Sequence, residues 1–146
     1  MESIFGFTQL SRYLSRLQDQ FNSRLHNALQ DAALLVEKAA KENIIYGRAD
    51  WPALKQPGRR LARVSRRQRT PLLDTGTLLR SIHSQVEEFQ AVIGSGVKYA
   101  PTHEFGTERA GRTHSIRIPK RPYLTPAIEE NLRQIKEIFI KRLQGR

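Results

Sequence analysis

Between Thr8 and Asn43 the apolar residues fall at Leu10, Leu14, Leu17, Phe21, Leu25, Ala28, Ala32, Leu35 and Ala39. Steps of three and four put all of them on one face of a helix, because 3.6 residues complete a turn. The other side carries Arg12, Arg16, Gln18, Asp19, Arg24, Gln30, Lys38 and Lys41. The pattern predicts a long helix capped by Thr8, with a candidate break near Asn22. At about 1.5 Å per residue such a helix reaches roughly 50 Å, more than a domain of this size normally spans. Part of the stripe is therefore expected to meet another subunit.

A chain of 146 residues fits one domain, and roughly two thirds of its unfolded surface can be buried at that length. The expected organisation is a single domain over 1–146: helical over 1–46, a basic connector over 47–71, a sheet region over 72–122 and a C-terminal helix over 123–146. Hydrophobic residues make up 38% and charged residues 27%, which points to a small core or to much surface engaged by partners. With no cysteine, disulfides and thiolate chemistry are excluded. The start of the chain lacks a basic region followed by an apolar run, and no run approaches the roughly 18 apolar residues of a membrane span. A soluble protein made in the cytoplasm is expected.

The net charge is +11, and most of the excess is local. Pro52, Pro57, Gly47 and Gly58 punctuate residues 47–70 and no apolar period persists there, so Trp51 and Leu54 are the expected anchors. The same stretch holds Arg48, Lys55, Arg59, Arg60, Arg63, Arg66, Arg67 and Arg69 against a single acid, Asp50. Such a run suits phosphates, with salt-dependent and sequence-independent affinity, or equally an acidic protein neighbour. It lacks the interleaved aromatics of a dedicated single-strand binder.

Past Pro71 the period shortens. Leu72 to Ile82 reads as a turn and one helical turn, and Ile82 to Val86 as a strand. A turn and a second strand, Ala91 to Ser95, complete an antiparallel hairpin, after which Gly94 and Gly96 permit a sharp bend. Tyr99 to Phe105 suits a short helix, and Gly106 to Thr113 a mobile loop or hairpin tip. Ser115 to Ile118 can add a strand, ended by Pro119 and Pro122. Thr125 as cap and Pro126 at the first helical position start the last helix, with Ile128, Leu132, Ile135, Phe139 and Leu143 on its buried face. The fold class is α+β: a long N-terminal helix, a small antiparallel sheet built around a hairpin, and a C-terminal helix packed on the sheet.

The candidates for chemistry are few. Leu72-Leu73-Asp74-Thr75-Gly76 resembles the active-site element of a retroviral-type aspartic protease, in which two such carboxylates share a proton across a dimer. Val92-Ile93-Gly94 resembles its second element, but the two lie too close in sequence for the intervening strands. The alternative is that Asp74 caps a turn and Gly76 bends the chain. His103-Glu104 would begin a zinc-protease helix, but position 107 is Thr107, not histidine. His83, His103 and His114 have no metal-ligand spacing. Gly94-Ser95-Gly96 completes no nucleotide-binding signature. Neither metal nor cofactor is expected.

The order of elements resembles the Mu-like phage virion-morphogenesis, or tail-completion, family, with a more distant likeness to other small phage tail components. The likeness runs from about Leu25 to Leu143; nothing before about Phe21 matches it. It rests on a helix ending before Gly47 and Trp51-Pro52-Ala53-Leu54, a basic connector, and Leu72 to Gly76 with Leu78, Arg80, Ser81 and Ile82. Val92 to Ser95, Tyr99-Ala100 with His103-Glu104-Phe105-Gly106, and Ile118-Pro119 to Arg121-Pro122-Tyr123-Leu124 complete it.

The resemblance implies a non-enzymatic neck or tail-terminus protein of the virion, assembled in the bacterial host cytoplasm as a ring, in expectation a hexamer. Its partners would be itself, tail-tube, sheath or head-connector proteins, and DNA passing through the channel, with no membrane. In that reading Trp51, Asp74, Gly76, Gly94, Tyr99, His103, Phe105, Gly106, Pro119 and Pro122 are structural. Asp74 and Gly76 shape the turn into the sheet; Tyr99, His103 and Phe105 hold the short helix against it; Pro119, Pro122 and Tyr123 fix the entry to the last helix. Arg59, Arg60, Arg63, Arg66, Arg67 and Arg69 would face DNA or an acidic partner, and Thr107 to Thr113 would order at an interface on assembly. A basic DNA-binding module is the alternative function, and the aspartic protease a distant third.

Overall fold

The stripe becomes one helix, α1, spanning Glu2–Tyr46 in the computed structural model, which describes residues 2–53 and 70–145. Its 45 residues reach about 67 Å. Thr8 lies inside it and is not its cap, and the helix passes Asn22 without a break. No proline near Asn22 removes a helical hydrogen bond, so nothing interrupts the ladder there. Among the described residues no helix is long and apolar enough to cross a membrane.

The rest of the chain packs on the second half of α1. After an exposed bend at Asp74-Thr75-Gly76, a short helix α2 (Thr77–Ser81) leads directly into β1 (Ile82–Glu87), which pairs antiparallel with β2 (Gln90–Ser95) from Ile82↔Ser95 to Glu87↔Gln90. Along β1, buried or half-buried residues alternate with exposed ones, the period-two signature of a strand with one covered face. Gly94 sits inside β2 opposite His83 rather than at the expected bend, because the strand continues to Ser95.

Helix α3 (Ala100–Phe105) follows, then β3 (Thr107–Ala110) and β4 (Ile116–Ile118), which form a second two-stranded antiparallel sheet. Of the two expectations for this segment, a mobile loop or a hairpin tip, the structure has the hairpin, with an irregular register between Thr107 and Ala110. The last helix is divided into α4 (Thr125–Glu129) and α5 (Leu132–Gln144), with Asn131 outside helical geometry at φ −103° and ψ 5°. The division changes the buried face. Pro126 and Ala127 are buried and Ile135, Ile138 and Phe139 half-buried, whereas Ile128 and Leu132 are exposed.

Helix α5 runs antiparallel along α1, since Glu130 meets Arg48 while Arg142 and Leu143 meet Asp31 and Arg24. The core joins Val36, Ala40 and Ile44 of α1 to Trp51, Leu72, Leu78, Ile82, Ala100, Tyr123 and Ala127, and α5 reaches it through Ile135. Small residues at Ala28, Ala32, Ala33 and Ala40 let the hairpin and α5 approach the α1 backbone closely, which dense packing requires.

Candidate assembly site

Two features stand out: an internal clamp that fixes the angles between segments, and a helix face with no cover. The clamp centres on Glu104, only 6% exposed although carboxylates are rarely buried without partners. Its Oε2 accepts hydrogen bonds from the backbone N–H groups of Tyr123 (2.8 Å) and Leu124 (3.0 Å). Its Oε1 accepts from Thr125 N–H (2.8 Å) and the Thr125 hydroxyl (2.7 Å). The Leu124 and Thr125 N–H groups are orphan donors at the start of α4, so a carboxylate twenty residues away in sequence does what a local cap normally does. Thr125 is not the expected cap: its hydroxyl donates to Glu104 instead.

Close to His103, Arg121 is 5% exposed, and its guanidinium donates from Nε (3.1 Å) and Nη2 (2.9 Å) to the Pro52 carbonyl. Trp51 Nε1 donates back to the Pro122 carbonyl at 3.0 Å, so Trp51-Pro52 and Arg121-Pro122 latch each other. Asn43 Nδ2 adds a bond to the Tyr123 carbonyl at 2.9 Å. Arg48 grips both oxygens of Glu130 at 3.1 and 2.7 Å. That bidentate bond holds the Glu130 carboxyl below the usual carboxylate range and raises the Arg48 guanidinium. Burial, with Glu104 nearby, pushes the Tyr123 phenol up to about 12.

His103 joins the clamp through its backbone, whose carbonyl accepts from Arg121 N–H at 2.7 Å. Its ring makes an edge contact with Tyr99, centroids 5.6 Å apart, while its buried Nδ1 has no hydrogen-bond partner among the described residues. Burial first, and then the Arg121 charge, hold the imidazole below its ordinary value. Phe105 points the other way, 75% exposed, so it does not hold α3 against the sheet. Gly106 has φ +74° and ψ 171°, a region essentially closed to other residues. A Cβ there would stand 2.8 Å from the Lys120 nitrogen. Pro119 lines an open groove with Pro52, Phe105 and Gly106.

Asp74 is exposed and makes no hydrogen bond among the described residues. The turn is closed instead by Thr75, whose hydroxyl accepts from Thr77 N–H at 3.3 Å, and Gly76 enters α2 at φ +73° under the Arg80 side chain. The described residues on either side of Asp74-Thr75-Gly76 form a turn and α2, not the strands that carry an aspartic-protease element. His83, His103 and His114 do not converge, and no group of three metal-binding side chains occurs among the described residues.

Leu54, Arg59, Arg60, Arg63, Arg66, Arg67 and Arg69 lie outside the described residues. The points flanking them do not: Pro52 is latched by Arg121, and Thr70 lines a groove with Gly47 at the end of α1. The β3–β4 hairpin adds exposed Arg109, Arg112, Arg117 and Lys120, with Glu108 pairing Arg117 at 3.5 Å.

The uncovered face belongs to the first half of α1. The β1–β2 turn, at Glu88 and Phe89, lines a groove with Asn22, Ser23, His26 and Asn27, and the end of α5 meets Arg24. Before that level Phe7, Leu10, Tyr13, Leu14, Leu17 and Phe21 are all exposed, from 44% at Leu17 to 74% at Phe7. The sequence stripe marked this face; Glu104 and Arg121 it did not mark, since their partners are remote.

A model of the phage virion morphogenesis family matches residues 6–144. The match takes in the N-terminal half of α1, which the sequence motifs alone left out. The Mu-like prophage FluMu G protein 2 of Haemophilus influenzae is 34% identical over 131 residues, covering 86% of this chain and 87% of that protein. No solved structure matches.

Proposed function

The chain belongs to the phage virion morphogenesis family, and from that premise we propose that it is a structural, non-catalytic subunit of the virion neck. It completes the tail and supports head–tail joining as a homo-oligomeric ring, in expectation a hexamer. The observation that carries this reading is the apolar face of α1 beyond its own core: a subunit that leaves such a surface open is completed by neighbours. The clamp fits the same role. A ring closes only if each subunit repeats the same angle, and the bonds of Glu104, Arg121, Trp51 and Arg48 lock the joints between segments.

The basic connector, anchored at both flanks beside the end of α1, is assigned to the DNA passage or to an acidic virion partner. Light scattering after size exclusion, across protein concentration and at two salt levels, tests the ring together with negative-stain images. Closed rings are expected; a compact dimer at every concentration would count against them. Replacing Arg59, Arg63, Arg66 and Arg69 by glutamine should abolish head–tail joining while leaving the fold intact. Wild-type particle yield from that variant would overturn the connector's assignment. The net charge of +11 favours a second reading, a DNA-binding module, which requires the free subunit to hold DNA with steep salt dependence.

A further inference from the structure

We propose that the uncovered part of α1, from Phe7 to Phe21, pairs with the same segment of a second copy in a short coiled coil. This deepens the self-assembly reading by naming one contact between copies.

The spacing within the face is stricter than an amphipathic helix needs. Phe7, Leu10, Leu14, Leu17 and Phe21 follow one another at +3, +4, +3 and +4, the a and d positions of a heptad. A 3.5-residue period keeps a narrow seam aimed at another helix, whereas a helix lying on its own core carries a broader stripe. Downstream the same helix broadens in that way, with adjacent Ala32 and Ala33 both buried. The two seam positions after Phe21 on the d register are Arg24 and Asp31, and both are engaged by α5. The seam thus ends where the chain's own cover begins.

Charge identifies the occupant. Over residues 6–23 Arg12 and Arg16 oppose Asp19, a net +1 in a chain of +11. The segment is therefore nearly neutral, so copies repel each other little through it, and it holds little attraction for nucleic acid or an acidic protein. The positions flanking the seam are Ser11, Tyr13, Gln18 and Gln20, so no like charges face one another across a self-pair. Apart from Arg12, Arg16 and Asp19 the polar face is uncharged and carries no lysine, unlike the basic face of a helix that lies on a membrane.

The size is adequate for a contact that works with others. At the exposures given above, the seam and Tyr13 offer roughly 600 Å² per copy, below the ~800 Å² each partner gives to a standard stable interface but above an incidental touch. Two heptads would not hold as free peptides. Here the helix is already continuous with a packed body, so its ordering does not oppose pairing.

The test uses the full chain. Sedimentation mass of the wild type should rise with concentration, and Leu10→Glu/Leu17→Glu should raise the concentration for half-association by at least about tenfold, with unchanged helix content by circular dichroism. Arg12→Glu, on the far side of the helix, should behave as wild type. Because the chain has no cysteine, Leu14→Cys introduces a single thiol at the middle of the seam, where parallel and antiparallel pairs both bring two copies together. It should form a disulfide-linked dimer on mild oxidation, whereas Arg12→Cys should not. Unchanged association by the double variant, or equal cross-linking at positions 12 and 14, overturns the proposal, as does a wild type that stays at one-copy mass while binding anionic lipid vesicles. Rings that persist in the double variant would sink the pairing and keep the ring; variant-sensitive association without rings would do the reverse.

Discussion

Glu104 offers the sharpest test of the clamp. Its two oxygens take four donors, of which Tyr123 N–H is fully enclosed and the other three are partly reached by water. A buried donor left without an acceptor costs about 1–3 kcal/mol, and a partly solvated one roughly 0.5 kcal/mol. Glu104→Ala should therefore destabilise the protein by about 3 kcal/mol. Glu104→Gln keeps the volume but retains only one acceptor oxygen and turns an amide N–H₂ toward the remaining donors, so it should still lose about 2 kcal/mol. Against a total of roughly 5–15 kcal/mol these are large fractions. Urea unfolding followed through Trp51, the chain's single tryptophan, measures them directly. An unchanged slope with a lower midpoint would assign the loss to the folded state. If Glu104→Gln unfolded within about 0.5 kcal/mol of wild type, the reasoning that both oxygens are needed would be refuted.

Other perturbations read other parts of the molecule. The His103 ring is held below its ordinary 6.5, so the unfolded chain takes up that proton first. Stability is full above pH 6.5 and declines as pH falls below it, until the folded ring also protonates. His103→Gln should flatten this part of the profile of urea midpoint against pH, and an unaltered slope would remove His103 as its source. Gly106→Ala should cost about 2–4 kcal/mol, from the disallowed φ and the approach to Lys120; a neutral effect on thermal unfolding would show that the β3–β4 hairpin can shift away. Arg121→Ala frees the Pro52 carbonyl and loosens the latch, so Trp51 emission should shift to the red and quench more readily with acrylamide. Unchanged emission would mean that the indole bond to Pro122 holds the latch alone.

What the sequence disclosed was local. The three-and-four spacing marks α1, and the alternation from Ile82 around Glu88-Phe89 marks β1 and β2, because periodicity reports which faces are covered. The start of α1 was misplaced since Thr8 resembles a cap while the helix simply continues through it. The strand β3 was missed because Thr107 to Ala110 does not alternate apolar with polar. The division at Asn131 went unseen because Ile128 and Leu132 fit a continuous helical face. The clamp was hidden for another reason. His103-Glu104-Phe105 reads as the end of a short helix held against the sheet, and only folding reveals that the carboxylate meets residues 123–125 while the aromatic faces solvent. Arg121 was visible only as part of the run Arg121-Pro122-Tyr123-Leu124. Its burial depends on the Pro52 carbonyl, 69 residues away.

Since α1 is a single unbroken helix, its two halves cannot be oriented independently. The covered half is the fixed end of a lever, and the free half extends roughly 30 Å past Arg24. A tilt of about 5° where the hairpin and α5 grip the helix would displace the far end by about 2.6 Å, more than the rise of one residue. Mutations deep under the hairpin, at Ala28 or Ala32, are thus mechanically connected to whatever the distant end must reach. Conversely, a load applied near Phe7 is delivered to the body as a torque on the alanine-lined contact.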